Sequence, residues 1–516
     1  MQRRTLLMSS AAALAPLSTV AASRPLTERS ATELAADLAS GRVSAQALLA
    51  ACMQRIEAVD RKGPRINSII ELNPDARAQA KALDAERLAG KLRGPLHGLP
   101  VLLKDNIATG DRMQTTAGSL ALSGLHAPRD AHLVQRLRAA GALILGKTNL
   151  SEWANMRSTR STSGWSGRGG LTRNPYALDR NCSGSSSGSG AAIAAELAPL
   201  AVGSETDGSI VSPSSICGIV GLKPTLGRVS RDGIIPISHS QDTAGPMARS
   251  VADCALLYAA MCGRDANDPI TADAPAQPDW TPQPLKGRRL GVARNYFTGY
   301  DEADDVIENA IRRLRELGAE IVDPIDLAPV SYGDAESQVL LYEFKVDLAQ
   351  WLKTFAPGHS AQNLADLIAF NKAHAGEEMP WFAQELFEKA QALGGLDTPA
   401  YLDALKQSKD GARANGLDRA FDAHQLDAII APTGSPAWLT DPIASDHYGA
   451  SFSTPAAVAG YPHLTVPAGL VRGLPMGLSF VGRAWSENLL LSLGHAFERG
   501  TMARQRPRFT ANTRLL

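Results

Sequence analysis

The sequence of 516 residues has almost no excess of charge of either sign: Lys plus Arg and Asp plus Glu number 52 each. A neutral chain has no general electrostatic attraction to nucleic acid or to an anionic membrane, so neither is expected as a partner. Its ten histidines include no H-E-x-x-H and no pair at helical spacing. There is also no Walker loop and no dinucleotide G-x-G-x-x-G after a strand. These absences leave no cofactor and no metal to expect. Cysteine is scarce: Cys52, Cys182, Cys217, Cys254 and Cys262 are odd in number and contain no C-x-x-C pair. Most of them read as small buried hydrophobes rather than as a disulfide framework. No internal repeat of 20 to 50 residues is found.

Long apolar runs are lacking too. The most marked, Leu6 to Leu17, is too short to span a bilayer. It follows Arg3-Arg4 and precedes the small residues Val20-Ala21-Ala22, which together describe an export signal over residues 1–23. The paired arginines suggest the twin-arginine route, which Thr5-Leu6-Leu7 matches only in part. The expectation is an exported protein, periplasmic or secreted, and soluble once processed.

What is present is the balance of a globular enzyme acting on a small molecule or peptide, with 44% apolar and 20% charged residues. Ser30-Ala-Thr-Glu33 reads as a capping box opening a helix that stops at Gly41. Ser44 caps the next helix, and Asn73-Pro74 is expected to start a third with Pro at its first position. Leu99 to Leu103 reads as a buried strand ending at Lys104, followed by a helix over 131–140 and a strand from Ala142 to Leu145. Strands also fit Leu200 to Val202, Leu290 to Ala293, Ile321-Val322, Ala428 to Ala431 and Leu464 to Val466, while 335–425 reads as mainly helical. Alternating strands and helices predict an α/β fold with a mixed central sheet covered by helices on both faces.

Two serine-rich patches interrupt this pattern. Asn181 to Gly190 has the composition of a flexible linker, yet it runs straight into an Ala-rich helix at Ala191, where a loop on a rigid scaffold is the better reading. Within it, Gly184-Ser-Ser186-Ser-Gly188 formally matches the nucleophile elbow of α/β-hydrolases. That motif needs an apolar strand before it, and Tyr176 to Asn181 does not make one. The second patch, Gly203-Ser-Glu-Thr-Asp-Gly-Ser209-Ile210, does follow a strand. Successive main-chain N–H groups at such a turn can hold an oxyanion, and Ser209 at its end would need a base. No histidine is suggested nearby. Lys104 could serve if desolvation lowers its pKa, although a lysine at a strand end more often reaches water.

Taken together, these segments resemble the amidase signature family. Gly98 to Asn106 is similar to its lysine motif, Ser183 to Gly190 to its Gly/Ser loop and Thr206 to Ile210 to its nucleophile turn. Gly221 to Thr225, Asp242 to Pro246, Ala459 to Pro462 and Gly473 to Leu478 resemble further signature segments, so the likeness runs over about residues 30–500. It implies one amidase domain over 24–516, with the signature core at about 98–262 and a helical insertion on the substrate side at about 335–425. It also implies Ser209 as the acyl-forming nucleophile, Ser185 as a bridging serine in a cis peptide with Gly184, and Lys104 as the general base. Thr206, Asp207, Gly208 and Ser209 would then supply the oxyanion-hole N–H groups.

Asp207-Gly208 stands where many members of the family have Gly-Gly, and Val211 where they have Arg. With Asn149 to Asn155 and Ser163 to Gly170, this variant looks like the bacterial peptide amidases, which hydrolyse C-terminal carboxamides. Asn155 and Asp207 are expected to line the substrate pocket, and no obligate protein partner is implied. Aryl or aliphatic amidases and the glutaminase type are the alternatives within the family. A catalytically silent, exported peptide-binding protein is the alternative of a different class.

Overall fold

The computed structural model describes residues 24–276, 280–327 and 329–513; the expected export segment at 1–23 lies outside them. Thirteen strands are found among these residues: β1 (Ile69–Leu72), β2 (Pro100–Lys104), β3 (Leu143–Thr148), β4 (Trp165–Ser166), β5 (Gly170–Leu171), β6 (Leu200–Glu205), β7 (Val220–Lys223), β8 (Thr243–Ala248), β9 (Arg289–Val292), β10 (Glu320–Val322), β11 (Ala428–Pro432), β12 (His463–Val471) and β13 (Leu474–Val481). All but the β4–β5 hairpin join one eleven-stranded sheet in the order β1-β3-β2-β6-β8-β7-β12-β13-β11-β9-β10. Pairing is parallel between β2 and β3, β2 and β6, β9 and β11, and β9 and β10, and antiparallel elsewhere. The expected mixed α/β sheet is what the chain forms.

Its central strands are buried along their whole length, which is why β2, β3 and β6 read as continuous apolar runs rather than as alternation. Helices pack on the sheet, among them Ser187–Ala194, Val251–Met261 and Glu487–Thr501. All five cysteines are free and buried, as their reading as small hydrophobes requires. The two early caps also form: Ser30 makes a reciprocal capping box with Glu33, and Gly41 closes that helix at φ 74°, while Ser44 caps the next.

Two local expectations are corrected. Pro74 does not open its helix, which runs Ala76–Leu88; Asn73 Oδ1 instead accepts from the Asp75 N–H at 2.8 Å, making an Asx turn that holds Pro74 outside. The helix after the Gly/Ser segment begins at Ser187 rather than Ala191. Small residues are needed there because it runs through the interior: a Cβ on Gly188 would lie 2.3 Å from the Ser68 carbonyl oxygen.

Candidate active site

Strand β2 ends on Lys104, which is fully buried. Its Nζ donates to Ser185 Oγ (2.7 Å), Ser204 Oγ (3.0 Å) and the Ser204 carbonyl (3.1 Å). Ser204 comes from β6, the parallel neighbour of β2, and its hydroxyl also accepts from Asn106 Nδ2 at 2.9 Å. Among the described residues, no carboxylate pairs with the ammonium. Burial therefore pulls the Lys104 pKa down to about 7, and the negative charges of Asp242 and Glu205 only partly oppose it. Near neutral pH this lysine is available as a proton acceptor.

Ser185 sits at the cis peptide Gly184–Ser185 in the loop just before the helix Ser187–Ala194. The next residue, Ser186, ties that loop to the sheet. Its Oγ donates to the Ser204 carbonyl (3.1 Å) and accepts from the Ser204 N–H (3.2 Å), and its own N–H donates to the Ser209 carbonyl (3.2 Å). A fully buried hydroxyl committed to main chain cannot be the exposed nucleophile of an elbow. Ser186 is an anchor, and it brings the nucleophile turn against the cis-peptide loop.

That turn leaves the end of β6. Glu205 is buried beneath it, and its Oε2 takes the N–H groups of Ile210 (2.7 Å) and Val211 (3.0 Å). Among the described residues, the N–H groups of Thr206, Asp207, Gly208 and Ser209 have no acceptor. Gly208 has φ +79°, a left-handed backbone that favours glycine, and a Cβ there would press on Ser453 Oγ at 3.0 Å. Thr206 Oγ1 donates to Asp242 Oδ1 at 2.5 Å, while Asp242 Oδ2 takes the Ile237 and Ser238 N–H groups. The turn is thus pinned on both sides and keeps four donors free, as an oxyanion site requires.

Ser209, Asp207, Gly208, Gly184 and Asn155 line one pocket of about 320 Å³. Lys104 and Ser185 are fully buried and do not line it. Trp153, Ala154 and Asn155 all have left-handed backbone, with φ between 51° and 71°, an arrangement that costs energy for each non-glycine residue. Its result is to place Ala154 and Asn155 in the pocket lining, and Asn155 Nδ2 donates to Ser163 Oγ at 3.3 Å. The motif residue Asn149 is an anchor instead: its Nδ2 donates to the carbonyls of Gly164 and Gly170 and to Thr172 Oγ1.

Ser212, Ser215 and Ile216 of the helix Val211–Ile216 add to the lining, and the other walls, among them Trp438 and Tyr448, come from residues 434–454, for which the sequence carried no motif. Asp446 fastens this segment, accepting from the Ser163 N–H (2.9 Å) and from Trp438 Nε1 (3.1 Å). The Tyr448 hydroxyl bonds Ser163 Oγ at 2.8 Å. Residues 333–424 are mainly helical, as expected; among them Glu336 Oε1 accepts from Gln241 Nε2 at 2.9 Å, and beyond them Thr454 Oγ1 donates to Asp207 Oδ2 at 2.6 Å. Ser204, Glu205 and Asp242 could have been suspected, since each lies inside a segment already singled out; Glu336 and Thr454 had no such signal.

One cluster, His239, Glu343 and Asp347, has the spacing for a metal ion. The lone pairs of Glu343 are already taken by Ser238 Oγ, the Ser240 N–H and hydroxyl, and the Tyr401 hydroxyl. With His239 bonded to Asp347, the donor set is that of a clasp between a loop and a helix.

The Amidase family profile matches residues 47–491. A probable amidase of Arabidopsis thaliana is 39% identical over 472 residues, covering 88% of this chain and 87% of that protein. A glutamyl-tRNA(Gln) amidotransferase subunit from Halorhodospira halophila is 35% identical, covering 92% of this chain and 97% of that protein. Among solved structures, the native peptide amidase of Stenotrophomonas maltophilia superposes with a TM-score of 0.90 at 51% identity, over 94% of this chain and 99% of that one. With this fold and this pocket, the protein is an amide hydrolase. The chain belongs to the amidase signature family. The reading as a silent binding protein falls away.

Proposed function

We propose that the protein releases ammonia from the C-terminal carboxamide of peptides, through an acyl-enzyme on Ser209. The observation that carries the catalytic part is the buried 2.7 Å contact between Lys104 Nζ and Ser185 Oγ, in the loop that bonds the Ser209 main chain. Neutral Lys104 takes the Ser185 proton as Ser185 takes that of Ser209. Ser209 Oγ attacks the amide carbon, and the oxyanion is held by the N–H groups between Thr206 and Ser209. As the intermediate collapses, the proton returns through Ser185 to the leaving nitrogen, and ammonia departs. Water then attacks the ester, with Lys104 again drawing the proton through Ser185, to give the acid and free Ser209.

Two observations support a peptide substrate. The first is the 51% identity to a peptide amidase. The second is the pocket wall itself, where Trp438 and the exposed Tyr448 present aromatic surface that can meet side chains upstream of the amide. Export to the periplasm or outside the cell belongs to the same proposal and rests on residues 1–23. Comparing kcat/KM for a dipeptide amide, the matching free dipeptide and glutamine tests the substrate. The dipeptide amide should be fastest and the internal peptide bond untouched. Equal or better turnover of glutamine would put the activity with the glutaminase type, and preference for a simple aliphatic or aryl amide would put it with those amidases.

A further inference from the structure

Between β11 and the helix Thr454–Ala459, residues 434–451 leave the sheet and return to where they started. There Gly434 bridges Ser451, and the Ser435 N–H donates to the Ala450 carbonyl at 3.0 Å. The first half of this loop is held by main chain: the Asn181 N–H donates to the Trp438 carbonyl (2.9 Å) and the Thr440 N–H to the Asp179 carbonyl (3.0 Å). The second half has no such support. Among the described residues, 441–449 make no main-chain hydrogen bond to the main chain of another segment. Arg160 Nη2 reaches the Ile443 carbonyl at 3.2 Å, but from an exposed side chain.

Side chains hold the second half, and the Asp446 carboxylate makes most of the bonds. Its Oδ2 accepts from the Ser163 N–H (2.9 Å), and its Oδ1 from Trp438 Nε1 (3.1 Å) and Asn181 Nδ2 (3.3 Å). Tyr448, two residues on, bonds Ser163 Oγ at 2.8 Å, and its ring centre lies 4.7 Å from that of Trp438. One carboxylate thus ties the loop to the motif segment at Ser163 and to the start of the Gly/Ser loop at Asn181. All its partners are N–H donors, and a carboxylate can accept them on both oxygens. The two rings line the same pocket as Ser209. Ammonia is the whole leaving group of a carboxamide, so this pocket of about 320 Å³ serves the acyl side of the substrate.

We propose that Asp446 is a positioning residue that sets substrate selectivity. By fixing Trp438 and Tyr448 against Ser163, it holds an aromatic wall that favours amides with a large apolar group on the acyl side, such as a C-terminal phenylalanine amide. This rests on the peptide-amide reading and deepens it, by naming the kind of amidated residue the pocket prefers. Asp446 is not part of the pocket lining and acts through the two rings. Asp446→Asn is the informative substitution. It keeps the shape of the side chain but turns an N–H toward either the Ser163 N–H or Trp438 Nε1, so that one side of the clasp opens. Trp438→Phe keeps a ring in the wall and removes the donor to Asp446.

The test is the ratio of kcat/KM between N-acetyl-phenylalaninamide and N-acetyl-alaninamide. Hydrocinnamamide and propanamide form the same pair without the upstream peptide group. The unaltered protein should favour the phenyl member by about tenfold or more, the order expected for burying a ring in place of a methyl group. Asp446→Asn should lower that ratio by about fivefold or more, through a raised KM for the phenyl substrate, with kcat changing less. Trp438→Phe should lower it too, and the double variant should lose less than the product of the two single effects, because both act on one wall. A merely structural loss would scale kcat alike for both substrates and leave KM and the ratio in place. That result, a missing phenyl preference in the unaltered protein, or a double variant equal to the product would overturn the positioning role. If the unaltered protein turned over the simple pair but neither N-acetyl amide, the peptide-amide reading would have failed. The simple pair would then still decide on Asp446: a ratio that falls in Asp446→Asn supports the wall, and an unchanged ratio overturns it.

Discussion

Lys104 and Lys147 stand on neighbouring parallel strands, β2 and β3, one residue apart in register. Both are fully buried, and desolvation lowers both pKa values. They differ in what they touch. Lys147 Nζ donates to the carbonyls of Ile107 (2.7 Å) and Gln114 (2.9 Å) and to Thr115 Oγ1 (3.0 Å), within the field of Asp105, Asp111 and Glu71. The charges of Asp105, Asp111 and Glu71 favour the ammonium form of Lys147, which holds the 107–115 segment through two carbonyls and a hydroxyl. Lys104 contacts one carbonyl and two hydroxyls, which can also donate, and one of these, Ser185, adjoins Ser186, whose N–H bonds the Ser209 carbonyl. Burial lowers the pKa of both lysines, and their neighbours decide whether the proton has anywhere to go.

The comparison is most exposed to Lys104→Ala, which should lower kcat by about 10²–10⁴-fold, with the circular dichroism of the folded protein retained. Activity close to parental would remove Lys104 from the reaction. The pH profile sharpens the point. Only neutral Lys104 can accept a proton, so kcat/KM should rise through an acid limb near pH 7, following the lowered pKa of about 7, to a plateau above it. A limb near 10 would mean a solvated lysine.

Lys147 should show the opposite pattern. Lys147→Met leaves the buried Ile107 carbonyl and the half-buried Gln114 carbonyl unpaired and should cost about 2–4 kcal/mol in urea unfolding, while kcat of the folded fraction stays within about threefold. A large loss of kcat without loss of stability would erase the distinction. The smallest effect belongs to Ser186→Ala, which gives up two hydrogen bonds to the Ser204 main chain. It should lower stability by about 1–2 kcal/mol and leave turnover nearly intact; abolished turnover would revive Ser186 as nucleophile.

The Lys104 side of this contrast could be read from the sequence, whereas Lys147 lay beyond the strand expected at Ala142 to Leu145. The apolar run 99–103 marked β2, and the segment after Leu200 to Val202 marked the turn carrying Ser209, because both are local signals of strands buried on two faces. β8 escaped notice because Thr-Ala-Gly-Pro-Met-Ala has little strand propensity; it is held by pairing with β6 and β7. Thr454 escaped for another reason. It is more than a hundred residues from Asp207 and ordinary in its own helix, and only the packing of that helix gives it a role. Asp207 was noticed as a departure from glycine, but its partner could not be.

The most direct measurement is intact-mass and peptide mapping after reaction with a serine-directed phosphonate. A single adduct on Ser209, formed more slowly in Lys104→Ala and absent in Ser209→Ala, is the predicted result. An adduct on Ser186, or an undiminished adduct in Ser209→Ala, would contradict the account.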